Sequence, residues 1–433
     1  MASEIPANES LTRVQLLNRQ RTKFAALLDV IRPSNRFYTA KLAAMYSHAA
    51  ENLLEGIPFT TRAEIEADQF NNPPYGTNLS FPLSRYHRLH QTSGTTGGPM
   101  RWLDTPESWK WFLECWQIVF GAAGTKPQDR IIFPFSFGPF IGFWGAFEAA
   151  SSMGNLSLPA GGMTTAARLR FLLDNEATIV CCTPTYALRL AEVAAAEAID
   201  LANSPVRLII VAGEPGGSIG PVRARIESAF GARVIDHVGM TEIGAYGVEC
   251  VENPGGMHVI ETEFIAEVID ESTRPVSTGS IGELVLTNLG RSGSPLIRYR
   301  TGDLVRATLD ACPCGRCWTR LEGGILGRVD EMLQIRGNNV FPTAVEAIIR
   351  EFSQVTEFRL SVLDHGGMNE LRIEIECNPS SSASADQSVA QTLAYTIRDR
   401  LHFRPEIAVV PPGSLPRFEM KAQRVVRIPT RTP

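Results

Sequence analysis

Two glycine-rich segments combine backbone freedom with groups that could hold an anion. Residues 92–99, Thr-Ser-Gly-Thr-Thr-Gly-Gly-Pro, contain three glycines that let the backbone turn and expose N–H groups, while the hydroxyls add donors. This composition predicts a phosphate cradle, although it lacks the Gly-x4-Gly-Lys-Ser/Thr pattern. Residues 211–217, Val-Ala-Gly-Glu-Pro-Gly-Gly, follow a predicted strand, at the sheet edge where open α/β folds bind ligands. Either segment alone is also compatible with an ordinary turn.

Further segments carry oxygen-bearing side chains. In residues 236–244, Thr241 and Glu242 offer ligands for a hard cation such as Mg²⁺. His237, in the same segment, is expected to be an ordinary core or surface histidine. Asp303 could accept hydrogen bonds from the vicinal hydroxyls of a ribose. Its motif, residues 299–304, is weak alone, as are the two that follow it, at residues 327–332 with 336–342 and at residues 420–425.

The elements that must position these groups alternate between strand and helix. From residue 130 to 239, short apolar runs alternate with amphipathic helical segments, which predicts a doubly wound, mostly parallel sheet. Helical spacing precedes it over residues 9–70, and shorter strands with turns follow Gly255. A smaller α+β unit begins near Val329, in which residues 378–388 are predicted to form a solvated loop.

Composition limits the class of protein. With 433 residues, 44% of them hydrophobic, the chain can bury a large core, and its net charge of −5 argues against a nucleic-acid-coating protein. The sequence lacks both a basic-then-apolar leader and a run of about 18 apolar residues, so no membrane partner is expected. Eight cysteines in a chain of this length indicate a reducing, cytoplasmic location rather than a disulfide framework.

In this order, from about residue 93 to residue 421, the motifs resemble the acyl-adenylate-forming ligases. Within them, residues 161–193 and 332–346 are similar to phenylacetate–coenzyme A ligase and its aryl-ligase relatives. The resemblance implies an α/β fold with a large N-terminal domain, residues 1–328, of doubly wound, mostly parallel sheets that binds ATP and the acid. It also implies a small mobile α+β C-terminal domain, residues 329–433.

The resemblance also implies a role for each motif residue. The residues expected to wrap the β- and γ-phosphates are Ser93, Gly94, Thr95, Thr96 and Gly97. The adenine site would be lined by Gly213, Glu214 and Pro215, with Asp236 close by. Thr241 and Glu242 would lie at the α-phosphate and Mg²⁺, and Asp303, helped by Arg328, would hold the ribose. Asp330 falls at the hinge of the family, and Lys421 at its adenylation lysine.

The expected role of Lys421 agrees with the electrostatics of the reaction. A carboxylate that attacks the α-phosphate brings two anions together, so cationic and N–H donors must offset their repulsion. A lysine on a mobile domain supplies its charge only when that domain is closed. The chain departs from the family at three positions: Gly98 replaces the usual lysine, Val238 an aromatic residue, and Met420 a glycine.

The cysteine-rich segment 312–317, Cys-Pro-Cys-Gly-Arg-Cys, has the close spacing of a metal knuckle. Some relatives of the aryl ligases carry a similar set with an upstream Cys and His, which implies a closed structural Zn²⁺ site. The implied ligands are Cys250, His258, Cys312 and Cys314. Two alternatives stay open: Cys317 replaces one ligand, or the thiols are free. The other four cysteines are expected to be small core residues.

The chain is predicted to be an ATP-dependent acid–thiol ligase that forms an acyl-AMP and then an acyl-coenzyme A. Aromatic residues and glycines crowd residues 133–144, which border the acyl pocket in the family, so a flat or apolar acid is favoured, although at least half of these rings are expected in the core. The alternatives are transfer to a carrier-protein thiol or an amine, and a non-catalytic nucleotide-binding relative. The oligomeric state stays open, with a homodimer as one option.

Overall fold

A computed structural model of the chain describes residues 6–42, 54–92, 98–335, 338–364, 369–379, 381–418 and 422–428. The described residues form ten α-helices and twenty β-strands in three sheets. The helices are α1 (Arg13–Ile31), α2 (Arg36–Leu42), α3 (Arg62–Asn71), α4 (Pro106–Ala122), α5 (Trp144–Ser152), α6 (Thr165–Asp174), α7 (Pro184–Ala196), α8 (Gly220–Phe230), α9 (Pro342–Glu351) and α10 (Ala383–Leu401). None of these described helices is long and apolar enough to cross a membrane.

The strands are short over most of the chain. They are β1 (Arg88–Gln91), β2 (Arg101–Asp104), β3 (Arg130–Phe133), β4 (Leu156–Pro159), β5 (Ile179–Cys182), β6 (Leu208–Val211), β7 (Arg233–Met240), β8 (Gly244–Glu249), β9 (Gly256–Val259), β10 (Phe264–Ile269), β11 (Ile281–Asn288), β12 (Tyr299–Thr308), β13 (Arg320–Glu322), β14 (Gly327–Arg328), β15 (Leu333–Ile335), β16 (Asn338–Val340), β17 (Val355–Asp364), β18 (Asn369–Cys377), β19 (Glu406–Val410) and β20 (Val425–Ile428).

The largest sheet has twelve strands in the order β10-β11-β12-β13-β9-β8-β7-β6-β5-β3-β4, with β14 paired to β12. Its strands β4, β3, β5, β6 and β7 pair in parallel, and β5 and β6 are buried throughout because helices cover both faces of parallel sheets. The α/β class is therefore confirmed, but parallel pairing is limited to these strands. From β7 to β10 all pairs are antiparallel. The strands after Gly255 were expected to be shorter, but β11 and β12, of 8 and 10 residues, are longer than the 4-residue strands β3 to β6.

Capping residues fix where the helices beside the parallel strands begin. Thr183 ends the β5 turn and accepts a hydrogen bond from the Tyr186 backbone at 3.1 Å, and Pro184 occupies the first turn of α7. At the other end of the next unit, α8 stops at Gly231 with φ +58°, where an added Cβ would lie 2.4 Å from the Ala202 carbonyl. These caps direct the carboxyl ends of the strands into short loops.

The C-terminal sheet has the order β16-β15-β18-β17-β20, with β19 paired to β18, and α9 and α10 pack with it around a separate apolar core. The predicted solvated loop at residues 378–388 is wrong in its second half. There α10 begins at Ala383, because Ser382 caps it through the Ala385 N–H at 3.3 Å. Serines followed by alanines and an aspartate occur at the start of helices as well as in loops, so this composition is compatible with either.

Candidate active site

The carboxyl ends of three parallel strands form the edge where the candidate site lies. β5, β6 and β7 end at Cys182, Val211 and Met240, and the segments that follow them carry the motifs singled out in the sequence. Two cavities of about 350 and 380 Å³ open at this edge and share the residues Gly213, His237, Gly239 and Met240. Such a crevice is the usual ligand site of an open α/β sheet.

One cavity collects the described residues that were assigned to the nucleotide. Those that line it are Gly213, Glu214, Pro215, Asp236, Asp303 and Arg328. Arg328 Nη1 donates to Asp303 Oδ1 at 2.8 Å, and its Nε donates to Asp330 Oδ1 at 2.9 Å. The guanidinium of Arg328 thus connects Asp303, the candidate for the ribose site, to Asp330, the candidate for the hinge. We call this space the nucleotide cavity.

Asp236 lies buried in the wall of the nucleotide cavity. Burial raises the pKa of its carboxyl to about 7, although the Ser218 hydroxyl, which donates to Oδ2 at 2.6 Å, opposes this shift. The nearby Glu249 carboxylate adds to the rise of the pKa. Asp236 can therefore be protonated near neutral pH, which would let it donate as well as accept a hydrogen bond.

Glu214 joins two parts of the chain. Its Oε1 accepts a hydrogen bond from the Thr185 backbone at the start of α7, at 2.8 Å. Its Oε2 accepts one from the Ala422 backbone at 2.7 Å. Nearby, Arg424 pairs with Glu357 at 2.7 Å within the C-terminal sheet and donates to the Thr185 hydroxyl at 3.2 Å. The segment that follows residue 421 is therefore held against the nucleotide cavity.

Two of the sequence predictions fall outside the described part of the chain. The phosphate-cradle candidates, residues 93–97, and the adenylation lysine candidate, Lys421, have no described position. Their roles stay predictions. Of their described neighbours, Thr92 lines the second of the two cavities, and Ala422 lies against Glu214.

Thr241 and Glu242 line the other cavity, and a buried ion pair holds their backbone. The Tyr299 hydroxyl donates to Glu242 Oε1 at 3.2 Å. Arg291 Nη1 donates to the carbonyls of Thr241 and Glu242 at 2.6 and 3.0 Å. The same guanidinium makes two bonds of 2.7 Å to Asp104, and neither side chain is exposed at all. This pair lies outside every motif of the sequence and was therefore not predicted.

Aromatic rings form much of the remaining wall of this second space, which we call the acid cavity. Of the six rings noted in residues 133–144, Phe135, Phe140 and Phe143 line it. Phe133 is fully buried in the core, and Phe137 packs against Trp144 with ring centres 4.7 Å apart. The expectation that at least half of the six rings serve the core agrees with this division.

His237 lies where the two cavities meet. Its side chain is buried, its ring contacts Trp116 with centres 4.3 Å apart, and Nδ1 lies 2.7 Å from the Gly247 carbonyl. Burial lowers the pKa of His237 to about 4, and the Gly247 hydrogen bond opposes this only in part. The residue is therefore a neutral core histidine as expected, but its position in both cavity walls gives it access to a ligand.

Three thiols and an imidazole converge behind β8 and β9. The ligand atoms of Cys250, His258, Cys312 and Cys314 lie within 4.8 Å of one another. Two Sγ atoms, of Cys250 and Cys312, are 3.5 Å apart, and Cys314 Sγ is 3.4 Å from His258 Nε2. A tetrahedral Zn²⁺ with Zn–S bonds of 2.3 Å requires sulfurs about 3.8 Å apart, so the four residues fit this ion.

One thiol of the cluster favours the thiolate form, whereas the hydrogen bond to Cys314 and burial raise the pKa of Cys250. Hydrogen bonds from the Cys250 thiol and from His258 lower the pKa of Cys314, and the thiolate is the form that binds metals. Cys317 is not part of this group of four. The remaining four cysteines are free and buried, which confirms their prediction as small core residues: Cys115, Cys181, Cys182 and Cys377.

Comparison with known proteins identifies the family. The model for AMP-binding enzymes matches residues 89–290, and the model for the AMP-binding enzyme C-terminal domain matches residues 337–427. A phenylacetate–coenzyme A ligase of Thermus thermophilus is 30% identical over 437 residues, covering 96% of each chain. The chain belongs to the phenylacetate–coenzyme A ligase family. The family member of Escherichia coli is 30% identical and covers 86% of this chain and 84% of its own.

Solved structures of a related ligase match the whole chain. The structure of 2-hydroxyisobutyryl-CoA ligase in the postadenylation state, with R3-HIB-AMP, has a TM-score of 0.90 at 26% identity, covering 99% of this chain and 94% of that one. The same ligase in the thioesterification state, with 2-HIB-AMP and CoA, gives 0.73 at 28% identity, covering 98% and 92%. The predicted enzyme class, an AMP-forming acid–thiol ligase, is confirmed, and the present arrangement is more similar to the postadenylation state.

Proposed function

We propose that this ligase activates an apolar or aromatic carboxylic acid with ATP and transfers the acyl group to coenzyme A. One carboxylate oxygen of the acid attacks the α-phosphorus, and pyrophosphate leaves. The coenzyme A sulfur then attacks the acyl carbonyl carbon, and AMP leaves. The observation that carries this proposal is that the nucleotide cavity and the acid cavity meet at one edge, with Thr241 and Glu242 beside the junction.

The described residues that line the two cavities would have separate roles in this reaction. Asp303, held by Arg328, accepts hydrogen bonds from the ribose, while Glu214 and the residues beside it line the adenine site. Glu242, with Thr241, would hold Mg²⁺, because its carboxylate faces the cavity and keeps an oxygen beyond the one bonded to Tyr299. When bound, Mg²⁺ supplies positive charge against the phosphates.

The two-domain division of the sequence analysis, at residues 328 and 329, is part of the proposal. In the adenylation arrangement the C-terminal domain delivers Lys421 to the α-phosphate, and in the other arrangement it withdraws this charge and admits the thiol. Support comes from the Ala422 N–H, one residue along the chain, which donates to Glu214 in the wall of the nucleotide cavity.

The deciding experiment measures pyrophosphate release across a panel of carboxylic acids, with and without coenzyme A. Lys421→Ala should abolish acyl-AMP formation yet largely spare thioester formation from supplied acyl-AMP, because its charge matters only where carboxylate meets α-phosphate. Equal loss in both half-reactions would assign Lys421 another task. Release of pyrophosphate without consumption of coenzyme A would favour a carrier-protein thiol or an amine as the acceptor. No release with any acid would favour the non-catalytic alternative.

We also propose a structural Zn²⁺ at the four-residue cluster. A closed site has no open position for substrate, so the ion stabilises the packing of β8, β9 and the 312–317 segment without acting on substrate. Purified protein should contain about one zinc per chain. Cys312→Ser should remove the zinc and lower the melting temperature. The neighbouring Cys317→Ser should leave both the zinc content and the melting temperature unchanged. Elemental analysis that finds no zinc in protein prepared without chelator would contradict this site.

Two further expectations accompany the proposal without a structural argument. A cytoplasmic location and a homodimer stay predictions, which cell fractionation and sedimentation analysis test.

A further inference from the structure

The acid cavity has one neutral polar atom among its aromatic rings, and its hydrogen-bond character can be assigned. His237 Nδ1 lies 2.7 Å from the Gly247 carbonyl, which can only accept, so Nδ1 carries the hydrogen. In the neutral ring, Nε2 is then a bare acceptor. Burial keeps the ring neutral, because it lowers the pKa of His237 to about 4.

The Nε2 atom lies beside Gly239, and both His237 and Gly239 line the two cavities where they meet. A Cβ added to Gly239 would lie 3.4 Å from Nε2. Within the described part of the chain no side chain or backbone group hydrogen-bonds to Nε2. The charged groups of the acid cavity are Arg62, which is paired with Glu66, and Glu242. A ligand is therefore the donor that this acceptor lacks.

We propose that His237 selects acids that carry a hydroxyl group on an aromatic ring, by accepting a hydrogen bond from that hydroxyl at Nε2. This inference rests on the proposed function and names the substrate class of the same site. A hydroxyl fits better than an ammonium group, because Glu242, the carboxylate of the described lining, is assigned to Mg²⁺, and a cation beside the neutral imidazole would then lose its hydration without a counter-charge.

The place of Nε2 along the strand separates the hydroxyl from the carboxylate. Gly239, beside Nε2, precedes Thr241 by two residues; β7 ends at Met240, so the two positions are separated by at most roughly 6.6 Å of extended chain. The reacting carboxylate belongs near Thr241 and Glu242. A hydroxyl on the ring of an aryl acid can span this separation, whereas the hydroxyl of a short 2-hydroxy acid lies next to its own carboxylate.

Selectivity would depend on both His237 and the ring hydroxyl of the acid. An unsubstituted aryl acid would cover Nε2 and remove its water without replacing the hydrogen bond, whereas a hydroxylated acid would replace it. The two acids differ in transition-state stabilisation by one neutral hydrogen bond, which corresponds to a roughly tenfold higher kcat/KM for the hydroxylated acid. It should hold between pH 6 and 8, because the ring stays neutral over that range.

The experiment compares kcat/KM for pyrophosphate release with phenylacetate, with 3- and 4-hydroxyphenylacetate, and with mandelate, whose hydroxyl lies beside the carboxylate. Wild-type protein should prefer one ring-hydroxylated acid over phenylacetate by about tenfold and gain nothing from mandelate. His237→Phe, which keeps a ring beside Trp116, should lose the preference, and His237→Gln, which keeps an acceptor, should retain part of it.

Two results would overturn the inference while leaving the proposed function intact: phenylacetate reacts and no ring hydroxyl improves kcat/KM, or His237→Phe keeps the wild-type ratio. A preference for mandelate alone would also overturn it. If no acid releases pyrophosphate, the proposed function falls and the inference falls with it. The wild-type ratio decides the question even where a variant fails to fold.

Discussion

The buried ion pair between Arg291 and Asp104 should support the loop that carries Thr241 and Glu242 as well as the fold. Arg291 donates from Nε and Nη2 to the Asp104 carboxylate and from Nη1 to the carbonyls of Thr241 and Glu242. Neither side chain of the pair is exposed to water. Asp104→Ala leaves this guanidinium buried and unpaired, which should lower the free energy of unfolding by about 3–5 kcal/mol. Arg291→Met should cost a similar amount, because Asp104 is then the unpaired charge.

The double variant Asp104→Leu/Arg291→Met separates the two tasks. Replacing both charges by apolar side chains should restore most of the stability, because no buried charge is left without a partner. The carbonyls of Thr241 and Glu242 still lose their donor, so the loop that carries the proposed Mg²⁺ ligands is no longer held. Misplacement of this kind should slow acyl-AMP formation on the order of 100-fold.

The assay pairs urea unfolding with pyrophosphate release at saturating ATP. A matched control is the ion pair of Arg207 and Asp129, which precede strands β6 and β3 and so lie at the opposite edge of the sheet. Asp129→Ala should lower stability and leave the turnover of the folded enzyme unchanged. A double Asp104/Arg291 variant with restored stability and wild-type turnover would refute the positioning role.

Three other changes test separate parts of the site. Burial raises the native pKa of Asp236 to about 7 from 3.8, so its protonated form stabilises the fold below about pH 4, and this contribution is lost as the pH rises to 7. Asp236→Asn should therefore make the free energy of unfolding less dependent on pH between 4 and 7, and an unchanged pH profile would contradict the shift. Glu214→Ala removes the acceptor for the Ala422 N–H and should slow acyl-AMP formation about tenfold more than thioester formation; equal slowing would argue against domain docking. Asp330→Pro, at the proposed hinge, should preserve pyrophosphate exchange and impair thioester formation, whereas wild-type rates in both would refute the two-arrangement scheme.

Local patterns predicted the parallel strands and the nucleotide motifs for the same reason. A buried strand needs a continuous apolar run such as Leu208–Val211, and a ligand loop needs the glycines that come directly after it. Both signals lie within a few neighbouring residues. The start of α10 was missed because serine, alanine and aspartate serve a helix cap and a solvated loop equally well, and only the hydrogen bond of Ser382 decides between them.

The Arg291–Asp104 pair could not be predicted, since 187 residues separate its members and neither lies in a motif. A buried charge is recognised only when its partner is known, and the pairing here depends on the packing of β2 against the loop after β11. His237 stood inside a motif, yet its type and spacing were equally compatible with a plain core residue. Its place between two cavities comes from the sheet, which no local pattern describes.

The contacts between the C-terminal sheet and the nucleotide cavity suit an arrangement that the proposed rotation would break in each cycle. Arg424 is compensated by Glu357 inside its own sheet, and this ion pair would travel with that sheet if the domain rotates as proposed. The described bonds that the rotation would break include those of Arg424 to the Thr185 hydroxyl, of the Ala422 N–H to Glu214 and of the Thr343 hydroxyl to the Leu326 carbonyl. Such bonds contribute about 0.5–3 kcal/mol each, and water can replace them once the surfaces part. Because none of these described bonds joins a buried charge to its counter-ion, the present arrangement can be held firmly and still be released.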